Sequence, residues 1–177
     1  MKFPTTRIVK SLAAAVLTMA GVAQAAPVLT YNGSDYYFTT NTAGTWTAGE
    51  AEAVGMGGHL VTINDAAEEA ALRAAFGGSE NLWIGFTDQA AEGSFVWISG
   101  EAVTYTHWNA GEPNNLGDED YTLLNWNSAD GAWNDLANSA GFRGIIEVKR
   151  DGTVPEPGSL ALLGLALLGL RAARRKG

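Results

Sequence analysis

The amino-acid sequence predicts an α+β fold, with two helices in the first half of the chain and short antiparallel strands in the second. Segments with helix-capping residues occupy the first half, and short apolar stretches separated by turns and one long polar segment occupy the second. Of the 177 residues, 46% are apolar, which is enough for one buried core, and the 22 glycines favour turns over long helices.

A hairpin and a first helix are expected near the start of this domain. An Asn-Gly pair at 32–33 lies between two stretches that contain tyrosines, a pattern typical of a hairpin with a tight turn. Thr47 and Glu50 have the spacing of a capping box, which predicts a short helix that ends near Met56. The glycines at 57 and 58 then stop the helix.

A strand at 60–63 and a second helix come next. Asn64 or Asp65 caps this helix, which runs to Phe76 and places Leu72 and Phe76 on one face. The later apolar stretches predict strands at 82–86, 95–98, 121–126 and 144–148. The polar segment between 98 and 121 lacks regular periodicity, and a loop of this length in a compact domain is usually functional.

The first 25 residues have the features of a secretory signal peptide. Three basic residues precede an apolar run at 12–22, and Ala23-Gln24-Ala25 has the small-x-small pattern of a cleavage site. A buried N-terminal helix is the alternative interpretation.

The last residues have three parts: the motif Pro155-Glu156-Pro157, an apolar run at 160–170 and a basic end at 171–176. This order resembles the PEP-CTERM sorting signal of Gram-negative bacteria, in which an exosortase-type membrane protease removes the tail during export. The resemblance implies a linker with the sorting motif at 150–158 and an apolar segment with a basic tail at 159–177. It also implies transient membrane contact through that segment and a final location in the cell envelope, on the cell surface or outside the cell. A simple C-terminal membrane anchor is the alternative.

Charge restricts the partners of the central domain. Between residues 26 and 154, 18 acidic residues stand against four basic ones, a net charge of −14, and no Lys or Arg occurs between Ala74 and Phe142. Such a surface repels phosphate backbones, so we expect no nucleic-acid partner. The absence of cysteine excludes disulfides, a thiolate zinc site and a cysteine nucleophile.

Four short motifs in this acidic region offer oxygen ligands: Asp88-x-x-x-Glu92, Glu112-Pro113-Asn114-Asn115, Asp118-Glu119-Asp120 and Trp133-Asn134-Asp135. Calcium takes six to eight oxygen ligands, so these residue types fit Ca²⁺. Zinc fits poorly, because the chain has no cysteine and only two histidines. Both histidines, His59 and His107, are interpreted as structural. A solvated acidic surface with Asn-rich turns is the alternative.

Taken in order, the motifs resemble the C-type lectin-like family along residues 28–149. The matching segments are Trp46 with Gly57-Gly58-His59-Leu60-Val61, Trp83-Ile84-Gly85-Phe86, Trp108-x-x-Gly111-Glu112-Pro113-Asn114-Asn115, Glu119-Asp120, Trp133-Asn134-Asp135 and Gly144-Ile-Ile-Glu147. The resemblance implies the C-type lectin-like fold, with two helices, short antiparallel sheets and a long calcium-binding loop region.

The resemblance also implies two calcium sites. The primary, sugar-binding site is matched by Glu112, Asn114, Glu119, Asn134 and Asp135. An auxiliary calcium site is matched by Asp88, Glu92, Asn115, Glu119 and Asp120. Pro113 matches the family's cis-proline. In the family, two neighbouring sugar hydroxyls complete the calcium shell; Glu-Pro-Asn goes with mannose-type sugars and Gln-Pro-Asp with galactose.

The chain departs from the family at its cysteines. The two usual disulfides would join positions 53 with 146 and 121 with 138, where this chain has Ala53, Ile146, Tyr121 and Asn138. Gly49 also stands where the family usually has alanine.

These features predict an exported, calcium-dependent carbohydrate-binding protein whose ligand is a glycan or exopolysaccharide, with a mannose-type preference. The alternative is a calcium-stabilised lectin-like domain that binds protein or surface ligands. Glu112 and Glu119 could also form the carboxylate pair of a glycosidase. We expect no enzyme, because both are matched to the calcium site and no nucleophile–base pair is visible.

Overall fold

The computed structural model describes residues 25–126, 131–138 and 141–150. The expected signal peptide, except for its last residue, and the expected linker and tail, except for Arg150, lie outside the described residues. Among the helices that are described, none has the length and apolar character needed to cross a membrane.

The described residues form two helices and eight strands, which confirms the predicted α+β class. The helices are α1 (Trp46–Gly55) and α2 (Ala66–Phe76). The strands are β1 (Leu29–Tyr31), β2 (Ser34–Phe38), β3 (His59–Leu60), β4 (Leu82–Thr87), β5 (Val96–Trp97), β6 (Tyr121–Leu124), β7 (Asn134–Leu136) and β8 (Ile145–Lys149).

The first sheet joins the beginning and the end of the domain, in the order β1-β2-β8-β3 with antiparallel pairs. The predicted hairpin is β1–β2: Asn32 and Gly33 both have positive φ angles, 45° and 85°, as a tight hairpin turn requires. The predicted strand at 60–63 is shorter and begins one residue earlier, at His59.

Helix α1 begins earlier than the predicted capping box at Thr47 and Glu50, so that prediction is wrong. The N-cap is Thr45, whose hydroxyl accepts the backbone N–H of Ala48 at 3.3 Å. The Glu50 carboxylate instead accepts the backbone N–H of Leu60 at 2.8 Å. A tertiary partner therefore replaces the local one that the sequence spacing indicates.

Helix α2 follows the prediction closely. One carboxylate oxygen of Asp65 accepts the backbone N–H groups of Ala67 and Glu68, both at 2.8 Å, which identifies Asp65 as the N-cap. The helix ends at Phe76, and Leu72 and Phe76 are both buried.

The second sheet has the order β5-β4-β6-β7 and carries the loops of interest. All six residues of its central strand β4 are buried. Strand β7 was not predicted, because two of its three residues are Asn134 and Asp135. The predicted strands at 95–98 and 121–126 are shorter, and the one at 144–148 is shifted by one residue.

Apolar and polar contacts occupy the positions of the missing cysteines. Ala53 and Ile146 are fully buried. The Tyr121 ring packs on Trp46, with centroids 4.8 Å apart. The Asn138 side chain exchanges two hydrogen bonds with Thr47, donating to its hydroxyl at 2.9 Å and accepting its backbone N–H at 3.2 Å.

Candidate metal centre

The long polar loop lies against strand β7 through backbone hydrogen bonds. The N–H of Trp133 donates to the carbonyl of His107 at 2.7 Å, and the N–H of Asn109 donates to the carbonyl of Trp133 at 2.9 Å. These bonds bring the Glu112–Asn115 segment beside Asn134 and Asp135, which are distant in sequence. We call Glu112, Asn114, Glu119, Asn134 and Asp135 the primary cluster.

The Asp135 carboxylate organises the primary cluster. It is fully buried, and its two oxygens accept the backbone N–H groups of Asn114 at 3.2 Å and Asn115 at 2.8 Å. The Asn114 side-chain amide donates to the Glu112 carboxylate. The loop backbone is thereby held on one side, while the side chains of Glu112 and Asn114 lie at the surface.

The peptide bond between Glu112 and Pro113 is cis. This is the geometry that the family resemblance implies for Pro113. The backbone N–H of Glu112 donates to the carbonyl of Asn109 at 3.0 Å, which continues the connection between this turn and Trp133.

The charge of Asp135 acts on the two other carboxylates of the primary cluster. Burial, and then the charge of Asp135, raise the pKa of Glu112 above its ordinary value. The pKa of Glu119 is also raised, mainly by burial and further by Asp135, although the backbone N–H of Leu116 donates to its carboxylate at 2.9 Å. A concentration of negative charge with these raised pKa values is suited to a cation.

Asn134 provides an independent indication of a cation. Its side chain is 3% exposed, and its Nδ2 donates to the backbone carbonyl of Asp135. Its Oδ1 is buried and has no hydrogen-bond partner among the described residues. A buried polar atom without a partner is costly, and a metal ion beside the neighbouring carboxylates would satisfy it. The all-oxygen donor set of the primary cluster fits calcium.

A second acidic group lies around the loop after β4. Asp88 is 2% exposed; its Oδ2 accepts the backbone N–H of Gly93 at 2.8 Å, whereas its Oδ1 is buried without a partner in the described part of the chain. Burial, and then the charges of Asp88 and Asp120, raise the pKa of Glu92. The backbone N–H of Asp88 also donates to the carbonyl of Asp120 at 3.2 Å, which connects the two loop segments.

Asp118 belongs to this second group, although the sequence-based ligand set omitted it. Carboxylate oxygens of Glu92, Asp118 and Asp120 all lie within 4.8 Å of one another. We call Asp88, Glu92, Asp118 and Asp120 the auxiliary cluster. The run of three acidic residues at 118–120 indicates that Asp118 could also bind a cation. The family resemblance, however, matches only Glu119 and Asp120 to calcium ligands.

Asn115 and Glu119 were also matched to the auxiliary site. The contacts that the structure gives for them tie them to each other and to the primary cluster. The Asn115 side-chain oxygen accepts the backbone N–H of Glu119 at 2.8 Å, and the Glu119 carboxylate faces Leu116 and the charge of Asp135.

The two histidines make structural contacts. His59 Nδ1 lies 2.8 Å from the carbonyl oxygen of Leu60, and His107 Nδ1 lies 2.7 Å from the carboxylate of Glu69. Glu69 was not singled out from the sequence.

Comparisons with known proteins extend these observations. Residues 42–141 match the family described as Lectin C-type domain, and residues 153–176 match the PEP-CTERM protein-sorting motif. Among solved structures, the mouse scavenger receptor C-type lectin carbohydrate-recognition domain is similar, with a TM-score of 0.63 and 29% identity. This similarity covers 71% of this chain and 95% of that chain.

Two curated proteins are similar in sequence. The alpha-N-acetylgalactosamine-specific lectin of Patiria pectinifera is 38% identical over 132 residues, which are 67% of this chain and 76% of that protein. C-type lectin domain family 17, member A, of Homo sapiens is 37% identical over 109 residues, which are 62% of this chain. The matched region spans 28% of that human protein.

Proposed function

This chain belongs to the family of proteins with a lectin C-type domain, and from that premise we propose that it binds carbohydrate through calcium held by the primary cluster. Its relatives include a protein named as a lectin, and the fold is that of a carbohydrate-recognition domain. Both support binding rather than catalysis as the role of the acidic loops.

One observation carries the proposal. The buried Asn134 Oδ1 has no hydrogen-bond partner among the described residues, while Nδ2 of the same amide donates to the backbone carbonyl of Asp135. Glu112, Asn114, Glu119, Asn134 and Asp135 would hold the ion. Bound calcium would supply two open coordination positions to neighbouring hydroxyls of a sugar.

Glu112 and Asn114 would contact the sugar directly. Asn114 is exposed and Glu112 is half-buried at the loop surface. A carboxylate can accept a hydrogen bond from a sugar hydroxyl, and an amide N–H can donate to one. The pair can therefore recognise both the donor and the acceptor function of the sugar hydroxyls. Asp135 holds the backbone behind them and limits their movement.

We propose a mannose-type preference, because the Glu112-Pro113-Asn114 order goes with such sugars in the family. The relative from Patiria pectinifera is named for alpha-N-acetylgalactosamine. Galactose-type binding is therefore the outcome that would correct this part of the proposal.

The auxiliary cluster would hold a second calcium ion and stiffen the same loops. The buried, unpartnered Oδ1 of Asp88 and the three close carboxylates of Glu92, Asp118 and Asp120 support this assignment. Asp118 is the ligand candidate that we add to the set derived from the resemblance.

Export and processing complete the proposal. The match to a PEP-CTERM protein-sorting motif at 153–176 suggests export and surface sorting in a bacterium. We propose a signal peptide at 1–25, the lectin domain at 28–149, and a linker and tail that exosortase-type machinery processes in a Gram-negative envelope. The partner would be a surface glycan or exopolysaccharide.

Retention on immobilised mannan tests this function. The exported protein should be retained in calcium and released by EGTA, and magnesium in place of calcium should not restore retention. A glycan array in calcium separates sugar from other ligands: saturable, competable sugar signals support the proposal. Retention on mannan that persists in EGTA would contradict the calcium-dependent mechanism. An array without sugar signals would favour a protein or surface ligand instead. Release of reducing ends from the bound glycan would contradict a purely binding role.

A further inference from the structure

The Glu69 carboxylate connects helix α2 to the two chain segments that carry the primary cluster, one after His107 and one after Trp133. Glu69 is 4% exposed. One of its oxygens lies 2.7 Å from His107 Nδ1, and the other accepts the indole N–H of Trp133 at 3.1 Å. Both oxygens are therefore engaged, each by a different segment of the chain.

The two partners of Glu69 lie in the segments that carry the expected ligands, and His107 is five residues before Glu112. His107 begins the segment that leads to Glu112 and Asn114, and Trp133 directly precedes Asn134. Those segments are already joined by backbone hydrogen bonds of 2.7 Å and 2.9 Å between residues 107–109 and Trp133. Glu69 holds the side chains on both sides of this junction, which fixes the junction against the helix.

Close packing keeps the Glu69 carboxylate in this position. A Cβ atom placed on Gly131 would lie 2.7 Å from a Glu69 carboxylate oxygen, and Gly131 has a φ of 95°. The same Cβ would lie 2.6 Å from Cδ of Arg73, so Gly131 leaves room for both the Arg73 side chain and the Glu69 carboxylate beside the segment that carries Trp133. Burial, and then the charge of Glu69, raise the pKa of Tyr105.

We propose that Glu69 is a positioning residue for calcium and sugar binding: through His107 and Trp133 it sets the spacing between the two loop segments that form the primary cluster. This inference rests on the proposed function. It assigns Glu69 no contact with the ion or the sugar. Groups that orient metal ligands from outside the coordination shell typically change metal affinity by about 10- to 100-fold when removed.

Glu68 offers a matched control. It is the neighbouring residue of the same helix, is 5% exposed, and also uses both carboxylate oxygens. They accept the Tyr36 hydroxyl and the Asn64 backbone N–H, both at 2.9 Å. These partners lie at the first sheet and the start of α2, so loss of Glu68 removes a similar number of buried hydrogen bonds without touching the loop junction.

The test compares Glu69→Gln with Glu68→Gln in the exported protein. Glutamine keeps the shape of the side chain but replaces one acceptor oxygen by a donor. Calcium affinity is measured by isothermal titration calorimetry and unfolding is measured in EGTA. The indole N–H resonance of Trp133, assigned with Trp133→Phe, is followed by NMR. We expect both variants to lose stability, and only Glu69→Gln to weaken calcium binding by about tenfold and shift the Trp133 resonance in EGTA.

Three outcomes would overturn the inference. Unchanged calcium affinity in Glu69→Gln would overturn this inference but leave the proposed function standing. Equal weakening of calcium binding in both variants would do the same, since the role of Glu69 would then be only structural. Absence of calcium binding to the wild-type protein would overturn the proposed function together with it.

Should Glu69→Gln fail to fold, His107→Ala removes one of the two contacts at a partly exposed side chain. A smaller loss of calcium affinity in His107→Ala supports the inference, and no loss overturns it.

Discussion

The carboxylate of Asp135 accepts the backbone N–H of Asn115 at 2.8 Å, although the two residues are 20 positions apart in the chain. This bond holds the turn that contains the cis Glu112–Pro113 peptide against strand β7. A side chain expected to bind calcium therefore also shapes the loop that carries the other ligands. Loop geometry and metal binding should consequently change together.

Replacing Asp135 tests that coupling. In Asp135→Asn, an amide group replaces a carboxylate oxygen and faces the backbone N–H of Asn114 or Asn115, so a part-buried donor loses its acceptor. We expect no calcium binding at the primary cluster and a loss of about 1–3 kcal/mol in the free energy of unfolding in EGTA. Calorimetric titration and urea unfolding measure both effects.

Asp35→Asn is the control for Asp135→Asn. Asp35 lies on β2 and interacts with Thr30 and Arg150. Its replacement should leave calcium affinity unchanged. Normal calcium affinity in Asp135→Asn would contradict the assignment of the primary cluster.

Exchanging the carboxylate and the amide at the surface should change the sugar. In the double variant Glu112→Gln with Asn114→Asp, the number of oxygen ligands stays the same, so calcium should still bind. The positions of hydrogen-bond donor and acceptor for the sugar hydroxyls are reversed. We expect mannose to lose and galactose to gain the ability to elute the protein from a glycan column. An unchanged order of competitors would show that these two side chains do not determine the sugar.

Asp118 should contribute to the auxiliary cluster. Its carboxylate lies with those of Glu92 and Asp120 within 4.8 Å, so their negative charges repel one another until a cation binds. Asp118→Asn is expected to raise the melting temperature slightly in EGTA and to weaken calcium binding several-fold. Differential scanning calorimetry with and without calcium measures both. If the calcium-dependent shift matches that of the wild-type protein, Asp118 is not a ligand.

The raised pKa values predict how pH affects calcium binding. Burial and then Asp135 raise the pKa of Glu112 above 4.5, and burial and then Asp118 raise that of Asp120 above 3.8. A carboxyl group with a raised pKa binds its proton more tightly in the folded than in the unfolded state. In EGTA, these groups therefore stabilise the fold as pH falls through the raised pKa values, and this stabilisation is lost as pH rises.

Under the proposed function, calcium would compete with those protons for the same oxygens. The difference in melting temperature between calcium-loaded protein and protein from which calcium has been dialysed away should narrow as pH falls from about 7 to about 5. Melting curves at several pH values check this. A constant difference across the range would indicate that these carboxylates do not bind the ion.

Gly49 offers a stabilising substitution. A Cβ atom at this buried helical position would lie 3.5 Å from side-chain carbons of Leu60 and Thr39, which is ordinary contact. Glycine inside a helix costs about 0.5–1 kcal/mol relative to alanine, so Gly49→Ala should raise the melting temperature by a few degrees without changing calcium affinity.

Gly85→Ala should instead lower the melting temperature. There the added Cβ would lie 2.3 Å from the backbone oxygen of Leu60, so neighbouring strands must separate. A similar effect of the two alanine substitutions on thermal unfolding would contradict this account of the core.

Much of the fold follows from local patterns. Asp65 and Phe76 bound helix α2 as expected, because capping and apolar spacing act within one helical turn. The predicted N-cap of helix α1 was wrong, since the Glu50 carboxylate accepts a hydrogen bond from Leu60 and not from a residue of its own helix. Strand β7 was missed for a related reason: Asn134 and Asp135 are buried by tertiary structure, and polar residues do not indicate a buried strand by themselves.

The sequence by itself determined the fold class, the family and the chemistry of the acidic loops, because residue type and motif order are local information. Only the tertiary structure decided which carboxylates share a cluster and what holds them there. It places Asp118 beside Glu92 and joins Glu69 to Trp133 across 64 positions of the chain. Such pairings depend on how helices and sheets pack, since contact distances between remote residues are set by the assembled core rather than by spacing along the chain.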